Sequence, residues 1–229
     1  MRTLGLIGGL SWHSTITYYR IINQIVNERL GELNSAKIIL NSVNHQEFRV
    51  WQEEENWKAI DKKLSDIAVH LENDGAECIV MCCNTTHNSA DAIVSKIKIP
   101  FIHIADAVAN EIKEYNITKV GLLGTKFTME NPFFKERLSR SGIETIVPDA
   151  EDRDIIFDGI FKELAFGKIS DITRIKYIKI INKLKEKGAQ GVILGCTEIS
   201  MLISDSDSPI KAFDTTAIHA KAAAEFVLS

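Results

Sequence analysis

The sequence predicts an α/β protein built from parallel sheets. Short apolar segments rich in Val, Ile and Leu alternate with longer amphipathic segments along the 229 residues. Such alternation is typical of parallel strands that are covered by helices on both faces. A second observation is an internal repeat, in which two pairs of segments recur in the same order. Together they predict two similar three-layer domains with parallel sheets, related by a pseudo-two-fold axis, with an active-site cleft between them.

Each predicted strand is a short apolar run bounded by polar or turn residues. The predicted strands are residues 3–7, 36–43, 78–82, 100–104, 119–123, 144–147, 191–194 and 209–213. The predicted helices have apolar residues at helical spacing, as in 14–30, where Ile16, Tyr19 and Ile22 recur every three positions. The other predicted helices are residues 57–73, 86–97, 105–115, 132–141, 154–166, 172–187 and 216–228.

The internal repeat is carried by two pairs of segments. Residues 74–84 (DGAECIVMCCN) align with residues 187–197 (KGAQGVILGCT) at an offset of 113 positions. Residues 4–9 (LGLIGG) align with residues 120–125 (VGLLGT) at an offset of 116 positions. Two matches at nearly the same spacing favour a duplicated α/β unit. The expected domains are residues 1–103 with 209–229, and residues 104–208.

Composition limits the classes of function. The net charge is -4 and no Lys/Arg run stands out, which argues against a nucleic-acid partner. No apolar stretch is long enough to span a bilayer. The first residues lack the pattern of a secretory signal, so we expect a cytoplasmic protein without a membrane partner. The hydrophobic fraction of 45% suffices for one large core or two small ones.

Four cysteines are present, and in a reducing cytosol we expect them to be thiols. No CxxC pair exists, so a structural zinc site has little support. Cys78 and Cys82 lie within a predicted strand, where inert buried thiols are common. Cys83 and Cys196 coincide in the repeat, and each follows the carboxyl end of a strand, where α/β sheets bind ligands. The repeat therefore predicts two functional thiols that face one ligand.

Polar residues follow Cys83, where a helix is expected to begin. The first N–H groups of that helix, with Asn84, Thr85 and Thr86, could hold a carboxylate and would favour the thiolate. His87 lies four positions after Cys83, on the same face of the expected helix. We predict a supporting polar role for it. The alternatives are a base beside a thiol nucleophile or a histidine that only caps or packs.

Cys196 precedes Thr197 and Glu198, which again form a polar segment that starts a helix after an apolar strand. Gly195 permits a close approach of the backbone. The alternative for Cys196 is a small residue that merely ends a strand. The repeat relation to Cys83 favours the functional interpretation, in which Thr197 and Glu198 contact the substrate.

Two further strand ends carry candidate substrate-binding residues. Gly9 and Ser11 follow the first strand, and Thr125 and Thr128 follow the strand that matches it in the repeat. The GxGxxG pattern is absent, so a nicotinamide cofactor is not favoured. Backbone N–H groups and hydroxyls at these places could instead bind a substrate carboxylate. The alternative is that the hydroxyls cap helices.

Charged residues are also expected near strand ends, among them His45, Asp106 and Asp214. Arg49 could pair with a carboxylate of the substrate side chain, although a solvated surface arginine is the alternative. The acidic run 53–55 predicts an exposed helix start, which the helix dipole favours.

These motifs resemble those of the aspartate/glutamate racemase superfamily, and within it the aspartate racemase-like branch. The resemblance covers nearly the whole chain. Residues 6–15 (LIGGLSWHST) look like the family's opening strand and loop, and residues 122–125 (LLGT) match the start of its second domain. Residues 83–87 (CNTTH) resemble the first catalytic motif, and residues 195–198 (GCTE) resemble the second.

The resemblance implies two α/β domains, the first closed by the C-terminal segment, and an enzyme that needs neither pyridoxal phosphate nor a metal. It implies that Cys83 and Cys196 act from opposite faces of a small amino acid, namely aspartate, glutamate or a related substrate. Acidic-substrate members have a Lys in the helix before the glycine that corresponds to Gly167, where this chain has Ala165. The substrate side chain is therefore left open. The oligomeric state is also open, although relatives are often homodimers.

Racemisation explains why two thiols are needed. The Cα proton must leave from one face and return on the other, and a single base would have to cross the molecular plane. Each enantiomer therefore needs one thiolate and one thiol in opposite assignments. Three alternatives remain open. They are another reaction of the superfamily, such as isomerisation or decarboxylation of a small carboxylic acid, a non-catalytic amino-acid-binding module, and a thiol hydrolase that forms an adduct on Cys83.

Overall fold

The computed structural model describes residues 1–229 as two compact units. The first unit comprises Met1–Ile104 and Thr216–Ser229, and the second comprises Ala105–Thr215. Each unit contains one four-stranded sheet in which all neighbouring strands are parallel. The predicted α/β class with two parallel sheets is confirmed.

The two sheets have the same topology. The strands are β1 (Thr3–Gly8), β2 (Lys37–Ser42), β3 (Cys78–Met81), β4 (Phe101–Ile102), β5 (Lys119–Gly124), β6 (Glu144–Ile146), β7 (Gly191–Gly195) and β8 (Lys211–Asp214). Their order is β2-β1-β3-β4 in the first unit and β6-β5-β7-β8 in the second. The identical order is what duplication of one α/β unit would produce.

Eleven α-helices connect or flank the strands. They are α1 (Trp12–Leu30), α2 (His45–Glu53), α3 (Trp57–Asn73), α4 (Ala90–Val94), α5 (Ile104–Glu114), α6 (Lys126–Glu130), α7 (Pro132–Arg140), α8 (Ala150–Asp158), α9 (Asp171–Glu186), α10 (Ile199–Leu202) and α11 (Thr215–Leu228). None of them combines the length and the apolar character that a bilayer span requires.

The first unit has a separate core on each face of its sheet, because successive side chains of a strand point to opposite faces. Leu4, Leu6 and Val80 pack with residues of α1 and α11 on one face. Ile7 and Ile79 pack with residues of α3 on the other face. Full burial of each such side chain contributes about 1.5–3 kcal/mol to stability.

A glycine in the first strand of each unit lets a helix approach the sheet closely. A Cβ on Gly121 in β5 would lie 2.7 Å from Cδ1 of Leu184 in α9. A Cβ on Gly5 in β1 would lie 2.9 Å from the Cβ of Ala76 and 3.2 Å from the Cβ of Leu71 in α3. In both units, therefore, the helix before the cysteine-bearing strand packs against a glycine of the first strand.

Helix α2 is not among the predicted elements. The Asn44 side chain caps this helix by accepting a backbone N–H, and Phe48 and Gln52 are its buried residues. The acidic run 53–55, predicted to start a helix, instead begins with the last residue of α2, Glu53, and Glu55 has a positive φ of 54°. Two buried positions are too few to produce a clear helical period, but Asn44 is a helix-start signal that could have revealed α2.

Two predicted helices are interrupted. The segment predicted as helix 86–97 consists of a 3-10 helix (Thr85–Ser89) followed by the short α4. The segment predicted as helix 154–166 begins earlier, as α8, and continues as a π-helix (Gly159–Glu163) and a 3-10 turn (Leu164–Phe166). The π-helix begins where the backbone packs closely against α9. A Cβ on Gly159, its first residue, would lie 2.5 Å from the hydroxyl oxygen of Tyr177.

The C-terminal boundary between the units differs from the expected position at residue 209. Strand β8 pairs with β7, with Leu194 opposite Asp214, and so completes the second sheet. Only Thr216–Ser229 lie in the first unit, where α11 covers one face of the first sheet. Pairing of the strand therefore sets this boundary at Thr216, seven residues later than expected.

Candidate active site

The candidate residues lie mainly at the switch point of each sheet. The chain leaves the two central strands of each sheet in opposite directions, and parallel α/β sheets bind ligands at the carboxyl ends of such strands. In the first unit these strands are β1 and β3, followed by Gly9 and Cys83 respectively. In the second unit they are β5 and β7, followed by Thr125 and Cys196.

The loop after β1 contains one candidate that is already engaged. Gly9 has a φ of 89°, and a Cβ there would lie 2.2 Å from the Val43 carbonyl oxygen, so only glycine fits. Its N–H donates to Oγ1 of Thr15 at 2.9 Å in buried surroundings. To bind a substrate carboxylate, as predicted, the Gly9 N–H would have to leave Thr15. Ser11 precedes α1 without capping it, and its buried Oγ has no hydrogen-bond partner.

The backbone around Cys83 is held by three hydrogen bonds. The Cys82 N–H donates to the Ile7 carbonyl at 2.9 Å, which extends the pairing of β3 with β1. Oγ of Ser14 donates to the Cys82 carbonyl at 2.9 Å. Nδ1 of His87 donates to the Cys83 carbonyl at 2.7 Å. Cys83 itself is partly exposed. The sequence analysis did not single out Ser14, because a serine in a first helical turn carries no signal of a distant partner.

The polar segment after Cys83 is more buried than expected. Asn84, Thr85 and Thr86 are all buried, and Thr86 is fully buried with no hydrogen-bond partner for its hydroxyl. The segment from Thr85 to Ser89 is a 3-10 helix of five residues. The segment after Cys83 therefore begins as a 3-10 helix that continues into α4, and not as the expected α-helix.

Three buried histidines lie together in the first unit. The ring centroid of His87 lies 4.7 Å from that of His103 and 5.4 Å from that of His219. Nε2 of His219 donates to the Ile102 carbonyl at 2.8 Å, so Nδ1 of His219 accepts the hydroxyl of Tyr18, also at 2.8 Å. Burial lowers the pKa of His219 to about 4, so its imidazole is neutral near pH 7.

The other two thiols have the character expected of core cysteines. Burial raises the pKa of the Cys78 thiol to about 12 and also raises the pKa of the Cys82 thiol. All four cysteines are free thiols. The structure contains no group of three or more His, Cys, Asp or Glu side chains arranged to hold a metal ion.

In the second unit the thiol itself is held. Sγ of Cys196 donates to Oε2 of Glu198 at 2.9 Å, and both residues are partly exposed. The Glu198 carboxylate thus accepts a hydrogen bond from the thiol, and its predicted contact with a substrate stays a prediction. Burial, and next the neighbouring Cys196, raise the pKa of Tyr177, whose hydroxyl donates to the Ile156 carbonyl at 2.7 Å.

Two hydroxyls after β5 interact with each other. Thr125 caps α6 by accepting the Thr128 N–H at 3.3 Å, and the two hydroxyl oxygens are 3.2 Å apart. Thr128 is fully buried. The helix-cap alternative therefore applies to Thr125. Thr197 is partly exposed beside Cys196.

Arg49 lies away from the switch point. It is part of α2, which follows the edge strand β2, and its Nε donates to Oε1 of Glu53 at 2.6 Å. Ala165 lies in the 3-10 turn Leu164–Phe166 that follows the π-helix of the second unit.

Comparisons with known proteins agree with this architecture. The family model described as Asp/Glu/Hydantoin racemase matches residues 7–223. A crystal structure from Yersinia pestis, provisionally named an Asp/Glu racemase, is 49% identical, covers 100% of both chains and superposes with a TM-score of 0.95. An aspartate racemase homologue from Pyrococcus horikoshii OT3 is 35% identical over 100% of both chains, with a TM-score of 0.88.

A more distant relative is a curated protein from Bacillus subtilis (strain 168), the broad specificity amino-acid racemase RacX. It is 24% identical over 160 residues, which cover 70% of this chain and 69% of that protein. The family model extends over both sheets and both cysteine-bearing loops, and two solved relatives align over the full length. The chain is therefore an isomerase that belongs to the Asp/Glu/hydantoin racemase family.

Proposed function

We propose that this enzyme racemises a small amino acid without a cofactor, by two-base proton transfer between Cys83, Cys196 and the substrate Cα. One observation carries the proposal. Each unit has one partly exposed thiol within two residues of the carboxyl end of a central strand, in sheets of the same topology. The other two thiols, Cys78 in β3 and Cys82 just after it, are buried.

The proposed reaction conserves atoms and charge. For one enantiomer the Cys83 thiolate takes the Cα proton, and the Cys196 thiol delivers its own proton to the opposite face. The product leaves with Cys83 protonated and Cys196 as the thiolate. The other enantiomer runs through the same steps in reverse. Between successive turnovers in one direction, Cys83 releases its proton to solvent and the Cys196 thiolate takes one up, so the cycle closes.

Glu198 gives this cycle a starting point. Its carboxylate accepts a hydrogen bond from the Cys196 thiol, with Sγ and Oε2 2.9 Å apart. The negative charge of the carboxylate disfavours a thiolate at Cys196. Cys196 therefore begins as the acid and Cys83 as the base. In this role Glu198 orients the proton that Cys196 delivers, and it does not bind the substrate.

The carbanion-like transition state needs donors at the substrate carboxylate. We assign this role to the hydroxyl of Ser11, which has no partner within the protein, and to Asn84, Thr85 and Thr197 beside the two thiols. The hydroxyl of Thr86, which has no hydrogen-bond partner either, belongs with these donors. Gly9, Thr125 and Thr128 would then support the loops, because the Gly9 N–H is bonded to Thr15 and the Thr125 and Thr128 hydroxyls lie 3.2 Å apart.

The substrate class is a small amino acid, with aspartate, glutamate or a related compound as candidates. The names of relatives span an aspartate racemase homologue and a broad specificity amino-acid racemase. Arg49 is the candidate for pairing with an acidic side chain, which would require it to leave Glu53. Ala165 has no positive charge to pair with an acidic side chain, which leaves Arg49 as the cationic candidate. The proposal therefore favours a substrate whose side chain needs only one cationic partner.

The test is incubation of the purified enzyme with single L-amino acids in deuterated water, without added cofactor. Aspartate, glutamate, homoserine and other small amino acids form the panel. We expect deuterium at Cα together with the D-isomer for at least one of them. Exchange into recovered L-isomer alone would refute the two-base mechanism. Thermal stabilisation by a member of the panel without any exchange would instead support a binding module.

A further inference from the structure

The direction of the Cys83 side chain depends on two peptide planes. Cys83 lies beyond the last residue of β3, where strand pairing ends with the bond from Cys82 to Ile7. The plane before its Cα contains the Cys82 carbonyl, and the plane after it contains the Cys83 carbonyl. When both planes are held, the φ and ψ of Cys83 and the direction of its Cα–Cβ bond are held as well.

Both carbonyls accept hydrogen bonds from buried side chains. Ser14, 2% exposed, donates to the Cys82 carbonyl at 2.9 Å. His87, 1% exposed, donates to the Cys83 carbonyl at 2.7 Å. Because a carbonyl oxygen only accepts, Nδ1 of His87 must carry the proton in this arrangement.

The His87 ring has little freedom to turn away. Its centroid lies 5.5 Å from that of Phe101, 4.7 Å from that of His103 and 5.4 Å from that of His219. His219 is itself fixed by bonds at both ring nitrogens. The aromatic neighbours therefore hold the donor of His87 against the Cys83 carbonyl.

The loop after β7 differs at the position that matches His87. That position is Ser200, whose buried hydroxyl has no hydrogen-bond partner. The Cys196 carbonyl accepts the backbone N–H of Ile199 at 3.0 Å. At Cys83, by contrast, buried side chains bind the two carbonyls that flank its Cα.

We infer that His87 and Ser14 are positioning residues that aim the Cys83 thiol at the substrate Cα. The inference rests on the proposed function, because it requires Cys83 to exchange a proton with Cα. Neither residue contacts the substrate in this role. Since a misplacement of about 1 Å can slow a reaction by about 100-fold, loss of either bond slows proton transfer at Cys83 alone.

The experiment compares His87→Ala, His87→Asn and Ser14→Ala with Ser89→Ala as the matched control. Ser89 is a buried serine of the same 3-10 helix whose hydroxyl has no partner. We expect His87→Ala to lower kcat by about tenfold or more with little change in KM, and Ser14→Ala by about threefold or more. Ser89→Ala keeps the wild-type kcat. Asparagine can offer an N–H close to the place of Nδ1, so His87→Asn recovers most of the activity.

A second readout separates positioning from general damage. Each enantiomer is supplied with deuterium at Cα, and the isotope effect on kcat is measured. When the Cys83 step becomes slower, the isotope effect grows for the enantiomer that Cys83 deprotonates. It shrinks for the other enantiomer, whose labelled bond breaks at Cys196. Loss of stability alone would not divide the two isotope effects in this way.

Equal isotope effects for both enantiomers in His87→Ala, or no recovery in His87→Asn, would overturn the inference. If His87→Ala does not fold, the pair Ser14→Ala and Ser89→Ala decides it by the same isotope effects. A wild-type enzyme that exchanges no Cα proton would refute the proposed function itself. A racemising wild type with unaffected variants would refute this inference alone.

Discussion

The loops after β3 and β7 occupy the same place in two sheets of equal strand order, yet they hold their cysteines differently. Around Cys83 the protein binds the backbone, through Ser14 and His87. At Cys196 it binds the sulfur, through Glu198, where the matching residue of the first unit is Thr85. The two units share the strand order and the position of the thiol, but the side chains that contact the two cysteines differ.

This difference bears on the chemistry. Two identical thiols would have no reason to begin in opposite protonation states, although the proposed reaction requires one thiol and one thiolate. The Glu198 carboxylate beside Cys196 favours the protonated thiol there, because like charges repel. The comparison therefore predicts distinct consequences when each side is altered.

The largest effect is expected from removal of either thiol. Cys83→Ser and Cys196→Ser should each lower racemisation by at least about 1,000-fold, as removal of an essential catalytic group commonly does. Product chirality after incubation with a single enantiomer measures this. Cys82→Ala is the matched control, because its thiol is buried next to Cys83, and it should retain activity. Full activity in one serine variant would show that the two units do not share the reaction.

A smaller effect is expected from Glu198→Gln. The variant loses the charged acceptor of the Cys196 thiol, and we expect kcat to fall by about 10- to 100-fold. Removal of the negative charge favours the Cys196 thiolate, so the pH–rate profile should shift toward lower pH. Glu136→Gln, on the exposed side of α7, should leave the profile in place. An unshifted profile in Glu198→Gln would contradict the asymmetry between the thiols.

The smallest effect is expected from substitution of the glycine in the first strand of each sheet. Gly5→Ala brings a Cβ within 2.9 Å of the Ala76 Cβ, which cannot move without its backbone. Gly121→Ala meets the end of the flexible Leu184 side chain. We expect losses of about 1–3 kcal/mol for Gly5→Ala and less for Gly121→Ala, measured by denaturant unfolding. The reverse order would show that the two helices are packed less alike than the repeat suggests.

Much of the scaffold was predictable because apolar runs and the repeat report directly on buried strands. The places of Cys83 and Cys196 followed from the same signals. The role of Glu198 did not, since its carboxylate lies beside Cys196 only through the local turn after β7. The bond from Ser14 to Cys82 joins residues 68 positions apart, and no local pattern records such a contact.

The sequence also overstated the regular helix after Cys83. Thr85–Ser89 is shaped by burial of polar side chains rather than by helix propensity. The motif also indicated that the Gly9 N–H is available to a ligand, but this N–H donates to Thr15. Motifs locate a loop well, but only packing decides which of its groups remain for a ligand.

The first unit is discontinuous in the chain, and this has a consequence for synthesis on the ribosome. Ala220, Ala223 and Val227 of α11 close one face of its sheet, against Tyr18 and Ile22. They emerge only after all of the second unit has been translated. The second unit can therefore acquire its full set of strands first, while the nascent first unit waits with one apolar face uncovered.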